Sequence, residues 1–141
     1  MKIGDYKLIP IQTGLLKLDG GAMFGVVPKP LWSKTNPADD RNRIEMCSRS
    51  LLLDNGKEKI LIDTGAGQKL SSKLKDIYAI YYNEFTLEKS LAKAGYTTDD
   101  ITTVLLTHLH FDHAGGNTFL NEEGKPEITF KNAEYLLQSK H

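Results

Sequence analysis

Thr107-His108-Leu109-His110-Phe111-Asp112-His113-Ala114-Gly115-Gly116 follows directly on Ile101-Thr102-Thr103-Val104-Leu105-Leu106. The earlier run is β-branched and nearly all apolar, the pattern of a strand buried on both faces. Three of the chain's four histidines fall within six residues at its exit, beside an aspartate. Residues two apart in extended backbone project to one side. His108 and His110 are therefore expected to address one metal ion, while Leu109 turns into packing. Asp112 and His113 lie adjacent where the chain turns, and face a second position beside the first. Imidazole with carboxylate is the ligand set of zinc or a comparable divalent ion. Gly115-Gly116 is expected to remove side-chain bulk where the turn approaches the metals and whatever they bind. A lone histidine after a strand is ordinarily packed or solvated; four ligand-type residues in this register make a metal motif.

Outward from this run, Thr97 to Asp100 reads as a turn, and Thr86 to Ala94 as a helix. Thr86 is its cap, Leu87, Leu91 and Ala94 share one face, and Gly95 is the stop. Gln68 to Ile80 also has helical character. Ile44 to Leu53 and Lys59 to Asp63 flank Asp54-Asn55-Gly56-Lys57, a hairpin signal, and Thr64-Gly65-Ala66-Gly67 ends the second strand. Tyr6 to Leu18 reads as an opening strand. It runs into the turn Asp19-Gly20-Gly21 and a second short strand at Ala22 to Val27. Pro28 to Arg43, with three prolines, is a long irregular loop. Loops of that length are usually functional or disordered. It is either a lid bordering the histidines, with Phe24 and Trp32 as exposed aromatics lining the substrate, or a peripheral loop or association surface. After the glycine turn a short helix and a strand at Glu127 to Phe130 are expected. Strands first, then strands alternating with helices, indicate an α/β or α+β layered domain.

The 141 residues suffice for one domain with a hydrophobic core, and the 40% apolar and 26% charged fractions are those of a globular chain. Eighteen acidic residues balance eighteen basic ones. With no Lys/Arg-rich stripe, a nucleic-acid partner is not expected. The apolar runs are strand-sized, so no membrane association is expected. Met1-Lys2-Ile3-Gly4-Asp5 opens no signal-peptide core, which points to the cytoplasm. The single Cys47 leaves no intramolecular disulfide and is expected to be a buried strand residue.

The run H-x-H-x-D-H resembles the signature of the metallo-β-lactamase fold superfamily. Lys59-Ile60-Leu61-Ile62-Asp63-Thr64-Gly65 is similar to that family's earlier strand ending in Asp-Thr-Gly. The stretch Asp19 to Pro28 is similar to the N-terminal region of the branch holding quorum-quenching lactonases and organophosphate hydrolases. The resemblance implies half of a four-layer αββα sandwich, a mixed sheet with flanking helices, with residues 1–141 as the N-terminal half-domain. It implies a two-zinc site, open to other divalent ions, with His108 and His110 on the first ion and Asp112 and His113 on the second. Asp63 would support a ligand from behind, and Asp112 would also be catalytic, orienting a hydroxide that attacks an ester, lactone or phosphoester. Family members complete these sites with two further histidines and a bridging aspartate from a C-terminal half, before which this sequence stops. His141, the one histidine left, is expected to be a solvated terminal residue. The leading expectation is thus a metal-dependent hydrolase of small molecules, incomplete in this chain and assembled with an identical or complementary chain. The alternative is a truncated, non-catalytic remnant that folds by self-association. A di-iron oxidative role is disfavoured because His110 stands where such relatives commonly use a glutamate.

Overall fold

The computed structural model of the chain describes residues 1–82 and 85–140. His141 lies outside the described residues. Six strands form one mixed sheet in the order β1-β2-β3-β4-β5-β8, with a separate small hairpin of β6 and β7. A short β1 (Lys2–Ile3) leads into β2 (Tyr6–Asp19), which pairs antiparallel with β3 (Arg43–Asp54) along its length. A register shift between Gln12 and Gly14 bulges that ribbon at Thr13, whose buried hydroxyl donates to Ser48 Oγ at 2.8 Å. The Asn55-Gly56 turn connects β3 to β4 (Lys59–Ile62), with the Asp54 carboxylate accepting from the Gly56 N–H. Crossover segments then place β5 (Thr103–Leu106) parallel to β4, and β8 (Glu134–Leu137) parallel to β5.

The core lies on one face of this sheet. Helix α4 spans Leu87–Lys93, and the Thr86 side chain caps it by accepting from the Lys89 N–H. The spacing of Leu87 and Leu91 sets both against the strands, where they bury Ile11, Leu52, Leu61, Val104 and Leu106 together with Ile101 and Phe130. On the opposite face Leu51, Ile62, Leu105 and Leu136 stand in register across four strands. Leu105 is 38% exposed and Leu136 41%. Strand β5 is therefore buried on one face, whereas its apolar sequence predicts burial on both; the helices cover a single side.

Other local expectations are also revised. Ala22 to Val27 forms no strand: Gly20–Phe24 is the short helix α1, capped by Asp19, which accepts from the Ala22 N–H at 2.7 Å and the Asn42 amide at 2.9 Å. The Asp19-Gly20-Gly21 turn leads into this helix and not into a strand, because the Asp19 side chain caps the helix N-terminus. The Pro28 to Arg43 segment is irregular except for α2 (Lys29–Trp32) and an isolated bridge from Ala38 to Ile44. Of Gln68 to Ile80 only α3 (Ser72–Ile77) is helical. The short helix after the histidines is α5 (Phe111–Ala114). The strand placed at Glu127 to Phe130 is β7 (Pro126–Ile128), paired with β6 (Thr118–Leu120), while Thr129 and Phe130 turn inward and are buried. Among the described residues no helix is long and apolar enough to cross a membrane.

Tyr96 joins the end of α4 to the β3 hairpin, its hydroxyl donating to Asp54 Oδ2 at 2.7 Å. That bond, with the Gly56 N–H, holds the Asp54 carboxyl below its usual range, and the same bond pushes the Tyr96 hydroxyl up to about 12. A depressed carboxylate contributes stability above its unfolded range and loses it as pH falls; a raised phenol contributes below its unfolded range and loses it as pH rises. Tyr96→Phe is expected to lower unfolding free energy by about 1 kcal/mol. The gap should be flat from about pH 5 to pH 10 and close outside it. Urea titrations at acid, neutral and alkaline pH check this, and a gap independent of pH would contradict it.

The open face carrying Leu105 and Leu136 generates a second expectation. Apolar patches of this extent seldom remain bare on monomers. The chain is expected to associate in solution, and light scattering that shows a compact monomer at micromolar concentration would refute it.

Candidate metal centre

Because β4 and β5 run parallel, their carboxyl ends open onto one edge of the sheet, the usual location of ligand sites in such folds. The first contributes Asp63 and the second Thr107 to His110. Asp63 takes a left-handed backbone conformation (φ 58°), which aspartate tolerates better than most residues. Its N–H still donates to Leu105 O at 3.0 Å, and its buried carboxylate swings toward the neighbouring strand end. There it accepts from the Thr107 N–H at 2.9 Å, the Thr107 hydroxyl at 2.8 Å and His113 Nδ1 at 2.8 Å. Burial would raise the Asp63 carboxyl, but the hydrogen bonds from His113 and Thr107 outweigh it and hold the group below the usual carboxylate range. An ionised carboxylate only accepts, so the Nδ1 proton is on His113.

The three imidazoles gather around this anchor. The rings of His108 and His110 meet edge to face at 4.6 Å between centroids, and those of His108 and His113 lie 4.0 Å apart. His108 Nδ1 is 3.0 Å from the Thr107 hydroxyl. Partial burial, reinforced by His113 and His110, pulls the His108 imidazole below its ordinary range and favours its neutral form. His113 Nε2 stands 3.5 Å from Asp112 Oδ2. With Nδ1 committed to Asp63, Nε2 is the ring nitrogen left to face Asp112, and an imidazole nitrogen beside a carboxylate oxygen is a donor set that suits a divalent ion. Among the described residues no three His, Cys, Asp or Glu side chains converge on one ion position, so the donors come in pairs.

Backbone contacts place these side chains. Thr64 donates to His113 O through its N–H at 2.7 Å and its hydroxyl at 3.1 Å, and the Gly116 N–H donates to Gly65 O at 3.0 Å. Ser48, from β3, donates to Asp112 O at 3.3 Å. A Cβ on Gly116 would lie 2.2 Å from Thr64 O, and one on Gly115 2.1 Å from Ala66 O. The glycine pair thus makes room for the 64–66 backbone, which corrects the expectation that it clears space for the metals. Phe111 is held by stacking on Tyr78 at 4.5 Å. Sequence reasoning did not identify Thr107, Thr64 or Ser48. The first two adjoin His108 and Asp63 at strand ends, a signal available in principle, whereas Ser48 lies within a strand and has none.

Phe24 and Trp32 stack on each other at 5.1 Å. Trp32 is only 4% exposed, its ring lying over Gly20, where a Cβ would come within 2.5 Å, and beside Ile44. The expectation of an exposed tryptophan is therefore corrected: the missing side chain at Gly20 lets the ring sink into packing. Cys47 is half-buried on β3.

A mixed sheet with imidazoles and a carboxylate gathered at its carboxyl edge sets the chain among α/β proteins with strand-end sites. It belongs to the metallo-beta-lactamase superfamily, whose model matches residues 48–129. The N-acyl homoserine lactonase AiiB of Agrobacterium fabrum is 36% identical over 72 residues, covering 51% of this chain and 26% of the lactonase. A probable metal-dependent hydrolase from Staphylococcus aureus superposes with a TM-score of 0.87 at 41% identity, over 99% of this chain and 49% of that one. AidC, a dizinc quorum-quenching lactonase, superposes with a TM-score of 0.61 at 27% identity, over 96% of this chain and 42% of its own. The chain spans less than half the length of each of these relatives.

Gly116→Ala is expected to destabilise the fold by about 2–3 kcal/mol, since backbone rather than a flexible side chain must yield. Urea denaturation measures it, and a change within about 0.5 kcal/mol, typical of neutral surface positions, would refute the close contact.

Proposed function

We propose that this chain carries the metal-binding half of a hydrolase whose substrate is a small ester, lactone or phosphoester. The observation that carries the reading is the gathering of three imidazoles and the Asp112 carboxylate at one strand end, with the Asp63 bond to Nδ1 leaving His113 Nε2 facing Asp112 Oδ2. His108 and His110 would hold one ion, zinc being the best suited, and Asp112 with His113 a second. Asp63 would fix the orientation of the His113 ring for ligation. The neutral form favoured at His108 is the form that binds metal. Metal ions at such a site supply Lewis acidity and lower the pKa of bound water toward neutrality. In this reading Asp112 would orient the attacking oxygen as well as ligate. Among the three substrate classes, the lactonases named above favour the lactone.

Each donor pair falls short of the three protein ligands of an ordinary catalytic zinc site. We therefore assign the complete activity to an assembly in which further polypeptide, a complementary segment or a second copy, covers the open sheet face and adds ligands. A second reading, a self-associating remnant without catalysis, draws on the same pairing of donors. Hydrolysis of a lactone and ester panel by the assembled protein distinguishes the two.

The 141-residue chain alone is expected to hold at most one divalent ion with modest affinity and to show little or no hydrolysis. Occupancy should fall as pH drops below about 6.5, where protons compete for the imidazoles. Metal analysis after dialysis, native chain against His108→Ala with His110→Ala, tests this. Equal metal in both proteins would overturn the site, and two tightly held ions in the native chain would overturn the incompleteness.

A further inference from the structure

We infer that Lys69 is a positioning residue for the Asp112–His113 pair, clamping from behind the turn that carries both. The inference rests on the proposed metal site for its functional meaning and on the turn's own contacts for its geometry. Lys69 follows the Asp63 to Gly67 loop, and its ammonium donates to Gly115 O and, at 2.6 Å, to Thr118 O. Gly115 opens the 3-10 turn Gly115–Asn117 that continues from α5, and Thr118 is the extended residue just past it, so these carbonyls lie where a helical segment ends and partners are lacking. A cation there satisfies them and offsets their partial negative charge.

The surroundings explain why such a clamp is needed. Behind the turn is a cavity of about 400 Å³, bordered by Thr13, Thr64, Gly67, Lys69, Gly116 and Thr118 among others. Packed side chains therefore do not brace the turn on that side. Its restraints are hydrogen bonds: Asp63 on the His113 ring, Thr64 on the His113 carbonyl, and Lys69 on the two carbonyls beyond. The loop bearing Lys69 is itself secured by the Tyr82 hydroxyl, which donates to Gly67 O. Partial burial lowers the pKa of the Lys69 ammonium, as expected for a side chain withdrawn from bulk water. Without the clamp the turn keeps its bonds to Thr64, Gly65 and Ser48 but loses its restraint on the cavity side, which loosens the backbone that carries Asp112 and His113.

The test compares the native 141-residue chain with Lys69→Met, which keeps length without donors, and Lys69→Arg, which keeps charge and donors. Lys69→Gln replaces the methionine variant if that fails to fold. Amide exchange is followed by NMR without metal at Thr64 and Gly116, whose N–H groups bond the loop to the turn, with Leu61 and Val104 as core references. The methionine variant is expected to speed exchange at Thr64 and Gly116 about tenfold, the effect of losing one charge-assisted hydrogen bond. Leu61 and Val104 should be unchanged, and arginine should restore most of the protection. Zinc titration read at the His113 ring resonance should show affinity weakened about 10–100-fold, with the His108 response retained. Unchanged exchange at Thr64 and Gly116 would overturn the inference, and so would an equal rise at all four amides, which marks a general stabiliser. A native chain in which zinc moves neither the His108 nor the His113 resonance would instead overturn the metal reading, leaving the clamp to be judged by exchange alone.

Discussion

The Asp63 carboxylate is taken out of water at the end of a central strand and given three donors there: two from Thr107 and one from His113. A buried carboxylate with fewer partners would be strongly unfavourable, so the arrangement is held in all its parts or in none. This single group ties the end of β4 to the end of β5 and to the helical turn beyond. It also sets the His113 tautomer, and with it the direction in which the remaining ring nitrogen faces. The local backbone is bent into a left-handed conformation to achieve this. Such conformations survive where surrounding contacts over-determine them, and they cluster at functional sites.

The rest of the edge is arranged to let two loops touch. Thr64, Gly65 and Ala66 lie directly against Gly115 and Gly116, with no side chain between. The two chain segments that carry the polar groups are thereby fixed relative to each other through backbone. Ser48 adds a third anchor from β3, and the Tyr78–Phe111 stack a fourth. The histidines themselves are partly exposed, so their positions depend on these supports more than on burial of their own rings.

The architecture that supports the edge is asymmetric. One face of the sheet holds the whole core, sealed by α4, while the other presents in-register leucines and isoleucines to solvent. The hydrophobic effect that stabilises the first face leaves the second with unspent attraction for another surface. Cover on that face and additional ligands at the edge are separate needs, and one added layer of polypeptide would meet both.

Much of this was legible in the residue order. The Asn-Gly hairpin follows from its turn preference, and the Thr86 cap and Gly95 stop from the chemistry of helix ends. These are properties of a few neighbouring residues, and short-range stereochemistry determines them. The alternation expected of His108 and His110 is not among them, since β5 ends at Leu106 and Leu109 is exposed. The tertiary structure alone decided the remainder. That Asp63 reaches His113, fifty positions further along the sequence, depends on β4 and β5 being parallel neighbours. That Gly115 and Gly116 face backbone, that Trp32 sinks over Gly20, and that β5 is covered on one side only depend on which distant segment lies opposite. Apolarity in a sequence states that a residue favours burial; which surface buries it is decided when the layers come together.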